Sequence, residues 1–115
     1  DQIDTGKIWK KIHIPVPNNF LYDEINSALF QWEVSLMSWT IENFETVTPV
    51  EQDHNVEPTY WPRRTAEDSR LDPNKTLAEQ FDLLRVCDPI RYPAFFEING
   101  QKYKLIVERS DEETI

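Results

Sequence analysis

The hydrophobic pattern after residue 75 predicts a capped helix. Residues 76–79 are Thr-Leu-Ala-Glu, a capping box in which the threonine hydroxyl accepts from the amide three residues on and the glutamate reaches back. Apolar residues then recur at spacings of four, three and three, which indicates one helix face made of Leu77, Phe81, Leu84 and Cys87. Asp88-Pro89 is expected to end the helix, because the residue before a proline is pushed away from α geometry.

A β-hairpin is predicted next. Asn99-Gly100 is the preferred pair for a two-residue type I′ turn, since both central residues need positive φ. Such a turn fixes the register as Ile98 with Gln101, Glu97 with Lys102, Phe96 with Tyr103 and Phe95 with Lys104. One face is expected to be apolar (Ala94, Phe96, Ile98, Tyr103 and Leu105), and the other to carry a Glu97–Lys102 charge pair and Phe95 beside Lys104.

The N-terminal third has weaker patterns. Alternating isoleucines in Lys7–Val16 predict an edge strand that Pro15 and Pro17 end. Helical spacing of Leu21, Ile25, Leu29 and Trp32 predicts a helix from about Phe20 to Gln31. Residues 32–48 fit two structures. Local alternation and the β-formers at its end favour a strand, whereas two apolar stripes, one through Leu36 and one through Met37, fit a helix that would have to be buried between layers.

A long surface loop is expected from Pro49 to Pro62, where three prolines and three acids interrupt any period. Thr65 with Asp68 is expected to cap a short helical turn. The predicted fold is a small single-domain α+β protein: a mostly antiparallel sheet, made of the N-terminal edge strand and the C-terminal hairpin, packed by two helices. The 115 residues fit one domain, with residues 1–6 and 109–115 expected to fray.

Charge limits the classes of partner. The formal net charge is −9, which disfavours phosphate backbones and anionic lipid and favours a protein with a basic surface. No stretch approaches the roughly 18 apolar residues of a membrane helix. A single cysteine, Cys87, excludes an intramolecular disulfide and suits a reducing compartment such as the cytoplasm.

Few residues are suited to catalysis or cofactor binding. Two glycines, Gly6 and Gly100, cannot form a glycine-rich phosphate loop, so no cofactor is expected. Cys87 shares the apolar helix face and is expected to be buried and inert. Asp53, His54 and Glu57 are weak candidates for metal ligands, with a solvated acidic loop as the favoured alternative. No catalytic residue is assigned.

The most unusual local sequence is Thr59-Tyr-Trp-Pro-Arg-Arg64. Tyrosine, tryptophan and arginine are enriched at binding hot spots, so this loop is a candidate recognition tip. In the alternative interpretation, Trp61 covers the core and both arginines pair with local acids. The candidate binding residues are Tyr60, Trp61, Arg63 and Arg64, together with the loop acids Glu51, Asp53 and Glu57.

These observations favour a non-enzymatic interaction protein, an inhibitor or adaptor that binds a larger macromolecule through its acidic surface and the aromatic loop. Mimicry of nucleic-acid charge is a variant of this hypothesis, since the segment from Glu42 to Asp72 contains eight acids and only three arginines. One alternative is a structural subunit of an oligomer or of a larger assembly, such as a virus particle, for which four tryptophans would supply contact area. Another is a small enzyme or accessory subunit with an Asp/Glu/His site.

Overall fold

The hairpin is present in the computed structural model, which describes residues 3–110. Strands β1 (Ala94–Ile98) and β2 (Gln101–Leu105) pair antiparallel in the predicted register. Asn99 and Gly100 have φ values of 53° and 75°, as a type I′ turn requires. The prediction of a Glu97–Lys102 charge pair is wrong, because these two described residues are opposite each other in the register but their side chains form no ion pair. Lys102 Nζ instead lies 4.0 Å from the centre of the Phe95 ring, and Glu97 contacts Arg70.

The capped helix is also confirmed. It is α2 (Leu77–Arg85), and both halves of the Thr76–Glu79 capping box are formed. The predicted short turn is a 3-10 helix, Ala66–Ser69, where the Asp68 carboxylate accepts the Thr65 amide hydrogen at 2.7 Å. Leu84 and Cys87 are buried as predicted, but Leu77 stays mostly exposed.

Residues 32–43 are helical, so the strand interpretation of this segment is wrong. Helix α1 spans Tyr22–Asn43 without a break, because it contains neither proline nor glycine and begins with two acids that favour the positive end of the helix dipole. Near its end, the Asn43 side-chain amide donates to the Trp39 carbonyl at 2.9 Å. Among the described residues, no helix is long and apolar enough to cross a membrane.

The N-terminal edge strand does not form. Ile8 alone pairs with Val50, through an antiparallel bridge with N···O distances of 2.7 and 2.9 Å. A longer pairing lacks a partner, because α1 takes up the residues through Asn43 that a second strand would need. The loop that contains Pro49–Pro62 is confirmed, apart from this bridge.

The chain divides into two compact units. The first holds the described residues up to Pro15 together with Ser27–Pro62, and the second holds Val16–Asn26 together with the described residues from Arg63 onward. Every buried residue of the described chain belongs to the second unit: Ser69, Leu71, Leu84, Cys87, Ala94 and Phe95. Of the segments expected to fray, residues 1–2 and 111–115 lie outside the described chain.

Candidate functional site

The second unit contains a cleft of about 470 Å³, a volume within the range of small-molecule sites. The N-terminal end of α1, the end of α2 and the segment after β2 surround it. Its apolar lining comes from residues of the small core and their neighbours: Leu84, Cys87, Ala94, Leu105 and Val107. The buried part of the cleft is therefore suited to an apolar group rather than to a charged one.

An ion pair borders the cleft. Arg109 Nη2 donates to Glu24 Oε1 at 2.6 Å and to the Asn19 carbonyl at 2.9 Å. The hydrogen bond from Arg109, together with one from the Leu21 amide, lowers the pKa of Glu24. Glu24 is therefore held as a carboxylate and is not suited to donate a proton near neutral pH. The same contacts show that Arg109, in the segment expected to fray, has partners in the structure.

Two further polar groups at the cleft are occupied by structural contacts. The Tyr22 hydroxyl donates to Asp88 Oδ2 at 3.0 Å. Hydrogen bonds from the Ile90 and Arg91 amides and from Tyr22 lower the pKa of Asp88, with the Ile90 bond as the largest cause. Arg85 Nη1 donates to the Pro17 and Phe20 carbonyls at 3.0 and 3.2 Å. The Cys87 thiol also has a structural partner, because it donates to the Leu83 carbonyl at 3.2 Å. All of these contacts hold the backbone around the cleft.

Arg64 has a structural position that the sequence did not indicate. Its side chain is half-buried, and Nη2 donates to Ser69 Oγ at 3.0 Å and to Cys87 Sγ at 3.8 Å. The guanidinium carbon lies 5.7 Å from the centre of the Tyr92 ring. Ser69 is fully buried, and its hydroxyl in turn donates a hydrogen bond to the Tyr92 carbonyl at 2.8 Å. Arg64 therefore connects three parts of the second unit and is not available as a surface contact.

The neighbouring aromatic residues are exposed. Tyr60 and Trp61 are 88% and 89% exposed, so the interpretation of Trp61 as a cover on the core is wrong. Pairing of both arginines with local acids is wrong as well: within residues 3–110, Arg63 is exposed and has no hydrogen bond or ion pair, and Arg64 bonds to Ser69 and Cys87. Of the four aromatic and arginine candidates, Tyr60, Trp61 and Arg63 are therefore the exposed ones.

The acidic loop residues do not converge on one point. Glu51 forms an exposed ion pair with Lys7 at 3.6 Å, a type of contact that contributes little to stability. Asp53 Oδ1 accepts from the Asn55 amide at 2.9 Å in a local turn, and His54 and Glu57 are exposed. No cluster of three or more His, Cys, Asp or Glu side chains in the part of the chain that the structure describes could hold a metal ion.

Sequence reasoning missed the polar contacts around the cleft, because the partners are distant in the chain. Arg109 contacts a residue 90 positions away, and Arg85 contacts residues 65 and 68 positions away. A single sequence carries no periodic or motif signal for such pairs. Leu84, Cys87, Ala94 and Leu105 were expected on the apolar faces of the helix and the hairpin, but the sequence did not indicate that they line one cleft.

Comparison with known proteins finds a weak similarity. No model of a known protein family matches the chain. A methionyl-tRNA formyltransferase from Protochlamydia amoebophila is 26% identical over 113 residues, which cover 95% of this chain and 35% of that enzyme. The chain thus spans about a third of the length of the curated relative that it matches.

Proposed function

We propose that this chain supplies a structural and docking part of a formyltransferase-type protein. The observation that carries this proposal is the similarity to the Protochlamydia enzyme, which extends over 113 residues and nearly the whole chain. A similarity confined to one helix or hairpin would indicate only a shared local pattern. One that runs through both units, the long loop and the hairpin supports descent from a common segment.

The chemistry of the chain supports a docking role within such a protein rather than contact with tRNA. A net charge of −9 opposes the approach of a phosphate backbone. Glu24 at the cleft and Asp88 near it have lowered pKa values because both accept hydrogen bonds, so neither of these two carboxylates is poised as a proton donor for transfer to an amine. The chain would therefore position other parts of the protein that hold the substrates.

A chimera tests this proposal. The matched segment of the Protochlamydia enzyme is replaced by this chain, and formylation of methionyl-tRNA is measured with a formyl donor labelled on its formyl carbon. We expect a rate within about tenfold of the parent enzyme, a change of roughly 1.4 kcal/mol in the barrier, because the substituted segment supports the reaction without touching the reacting atoms. A parent enzyme with a Gly/Ser linker in place of the segment is the control. A chimera that unfolds cooperatively but transfers no more formyl than the linker control would contradict the proposal.

A second proposed function is binding of another protein by the loop around Trp61. It is favoured by the near-complete exposure of Tyr60 and Trp61, since large aromatic side chains in contact with water are typical hot-spot anchors. The acidic charge favours a partner with a basic surface. This chain would then act in the cytoplasm as an inhibitor, as an adaptor or as a mimic of nucleic-acid charge.

This second function predicts that Trp61→Ala weakens capture of the partner from the native source by about 30-fold or more, the effect of a hot spot worth about 2 kcal/mol. Ile90→Ala is the matched control, because Ile90 is equally exposed at 89% and lies outside the loop. Binding of both variants and the unmodified protein is compared at increasing salt. Equal binding by both variants would exclude Trp61 as an anchor, and binding indifferent to salt would exclude the electrostatic contribution.

A further inference from the structure

Helix α1 has two apolar faces, and only one of them is covered within the first unit. Leu36 and Trp39 lie on the covered face; both are half-buried, and Lys10 Nζ lies 4.5 Å from the centre of a Trp39 ring. The other face carries five side chains between 44% and 78% exposed: Phe30, Val34, Met37, Ile41 and, just beyond the helix end, Phe44, whose ring centre lies 5.9 Å from that of Trp9. These five residues are called the exposed strip.

The spacing of the exposed strip is typical of a helix that packs against a partner. Its members follow one another at intervals of four, three, four and three, the repeat that aligns side chains along one seam. At 1.5 Å per residue the strip is about 21 Å long. It presents on the order of 500 Å² of apolar surface, so covering it with an equal partner area would remove about 1,000 Å² from water, the lower limit of a specific interface.

Within the described residues, the first unit has no buried core of its own, so the exposed strip is available to form one with a partner. None of its described residues is buried, although it contains all four tryptophans and most of the longest helix. Contiguous apolar patches of this size on soluble proteins mark interaction surfaces. A partner on the strip would enclose α1 between two layers and complete this core.

Charge indicates what the partner carries. Helix α1 contains four acids (Asp23, Glu24, Glu33 and Glu42) and no lysine or arginine. A second copy of the chain would bring acidic helix against acidic helix, which opposes pairing. A surface with lysine or arginine beside an apolar strip would instead complement the acids.

We propose that the exposed strip is the docking face for the companion part of a formyltransferase-type protein, an apolar surface bordered by lysine or arginine. This inference rests on the proposed function. It also rests on length: the relative's matched segment makes up 35% of that enzyme, so the same polypeptide offers further surface against which this segment can pack.

Met37 provides a direct reporter of docking, because it is the only methionine and lies in the middle of the strip. Hydrogen peroxide converts an accessible methionine to its sulfoxide, and mass spectrometry of the Met37 peptide gives the rate. The rate is measured in the isolated 115-residue chain and in the chimera with the Protochlamydia enzyme. We expect Met37 to oxidise at least about tenfold more slowly in the chimera, since a packed side chain reacts only when the interface opens.

Two variants show whether this protection comes from the strip. Ile41→Glu places a charge one helical turn from Met37 and is expected to restore oxidation in the chimera to the rate of the isolated chain. Ser35→Glu adds the same charge at an exposed position off the strip and is expected to leave Met37 protected. If the chimera does not unfold cooperatively, the isolated chain is mixed with the Protochlamydia enzyme lacking its matched segment, and protection of Met37 is again expected.

Three results would overturn the inference. The first is Met37 oxidation in a folded chimera at the rate of the isolated chain, and the second is absence of protection in the mixture where that is used. The third is protection that grows with the concentration of the isolated chain alongside a dimer mass in light scattering, because the occupant would then be a second copy. Protection of Met37 without formyl transfer would contradict the proposed function but support docking. Formyl transfer with Met37 unprotected would support the proposed function but contradict docking on the exposed strip.

Discussion

Replacing Phe95 with alanine is expected to lower the free energy of unfolding by about 3 kcal/mol, the lower end of the range for a buried phenylalanine. The Phe95 side chain is 2% exposed. Its ring is covered by two cations, with the Arg70 guanidinium carbon at 4.9 Å and Lys102 Nζ at 4.0 Å from the ring centre. Because these long side chains can relax into part of the vacated space, the cost should not reach the upper end of the range.

Phe96→Ala is the matched control, and its cost is expected to be about 1–2 kcal/mol because only part of its ring leaves water on folding. Phe96 is half-buried and stacks on Tyr103 with ring centres 5.6 Å apart. Urea unfolding of both variants, followed by far-UV circular dichroism, measures the two costs. A Phe96→Ala cost equal to or above that of Phe95→Ala would contradict the burial found here.

This pair shows how far the hairpin could be predicted from the sequence. The Asn99-Gly100 pair determines the turn, and the turn determines the register, so every predicted strand pair is present. Alternation then assigns Phe96 to the core face and Phe95 to the outer face. The sequence could not show that Arg70, 25 positions upstream, lies beside β1 and covers Phe95, with the Leu71 amide donating to the Phe95 carbonyl at 2.7 Å. That contact depends on the path of the chain.

The error over residues 32–43 has a related cause. A helix with one apolar face has a clear 3.6-residue period, but two apolar faces place hydrophobic residues at nearly every spacing and imitate alternation. In this segment, one stripe passes through Leu36 and Trp39 and the other through Met37 and Ile41. A two-faced helix of this kind is expected to be covered on both sides. The structure has the helix and leaves the second side exposed.

The candidate site was predicted less completely than the fold. Tyr60 and Trp61 were selected for their chemistry, and both are exposed in the structure. The Glu24–Arg109 ion pair and the contacts of Arg85 were not predicted, because charged residues are common on this chain and composition does not distinguish those that meet in space. Adjacent arginines illustrate this limit: Arg63 and Arg64 are equivalent in sequence but differ in burial and in partners.

Arg64→Ala is therefore expected to lower the free energy of unfolding by about 1.5–3 kcal/mol, the cost of losing hydrogen bonds from a charged donor in a partly buried position. The change removes the donor to Ser69 and the guanidinium beside the Tyr92 ring. Arg64→Lys should recover less than half of this loss, because an ammonium lacks the planar fork that reaches Ser69 and Cys87 together. Arg63→Ala is the control and should change stability by less than about 0.5 kcal/mol, as for an ordinary surface position. Urea unfolding compares the three variants. Two results would show that the contacts of Arg64 do not stabilise the second unit: full recovery of stability by lysine, or equal costs of the alanine substitutions at positions 63 and 64.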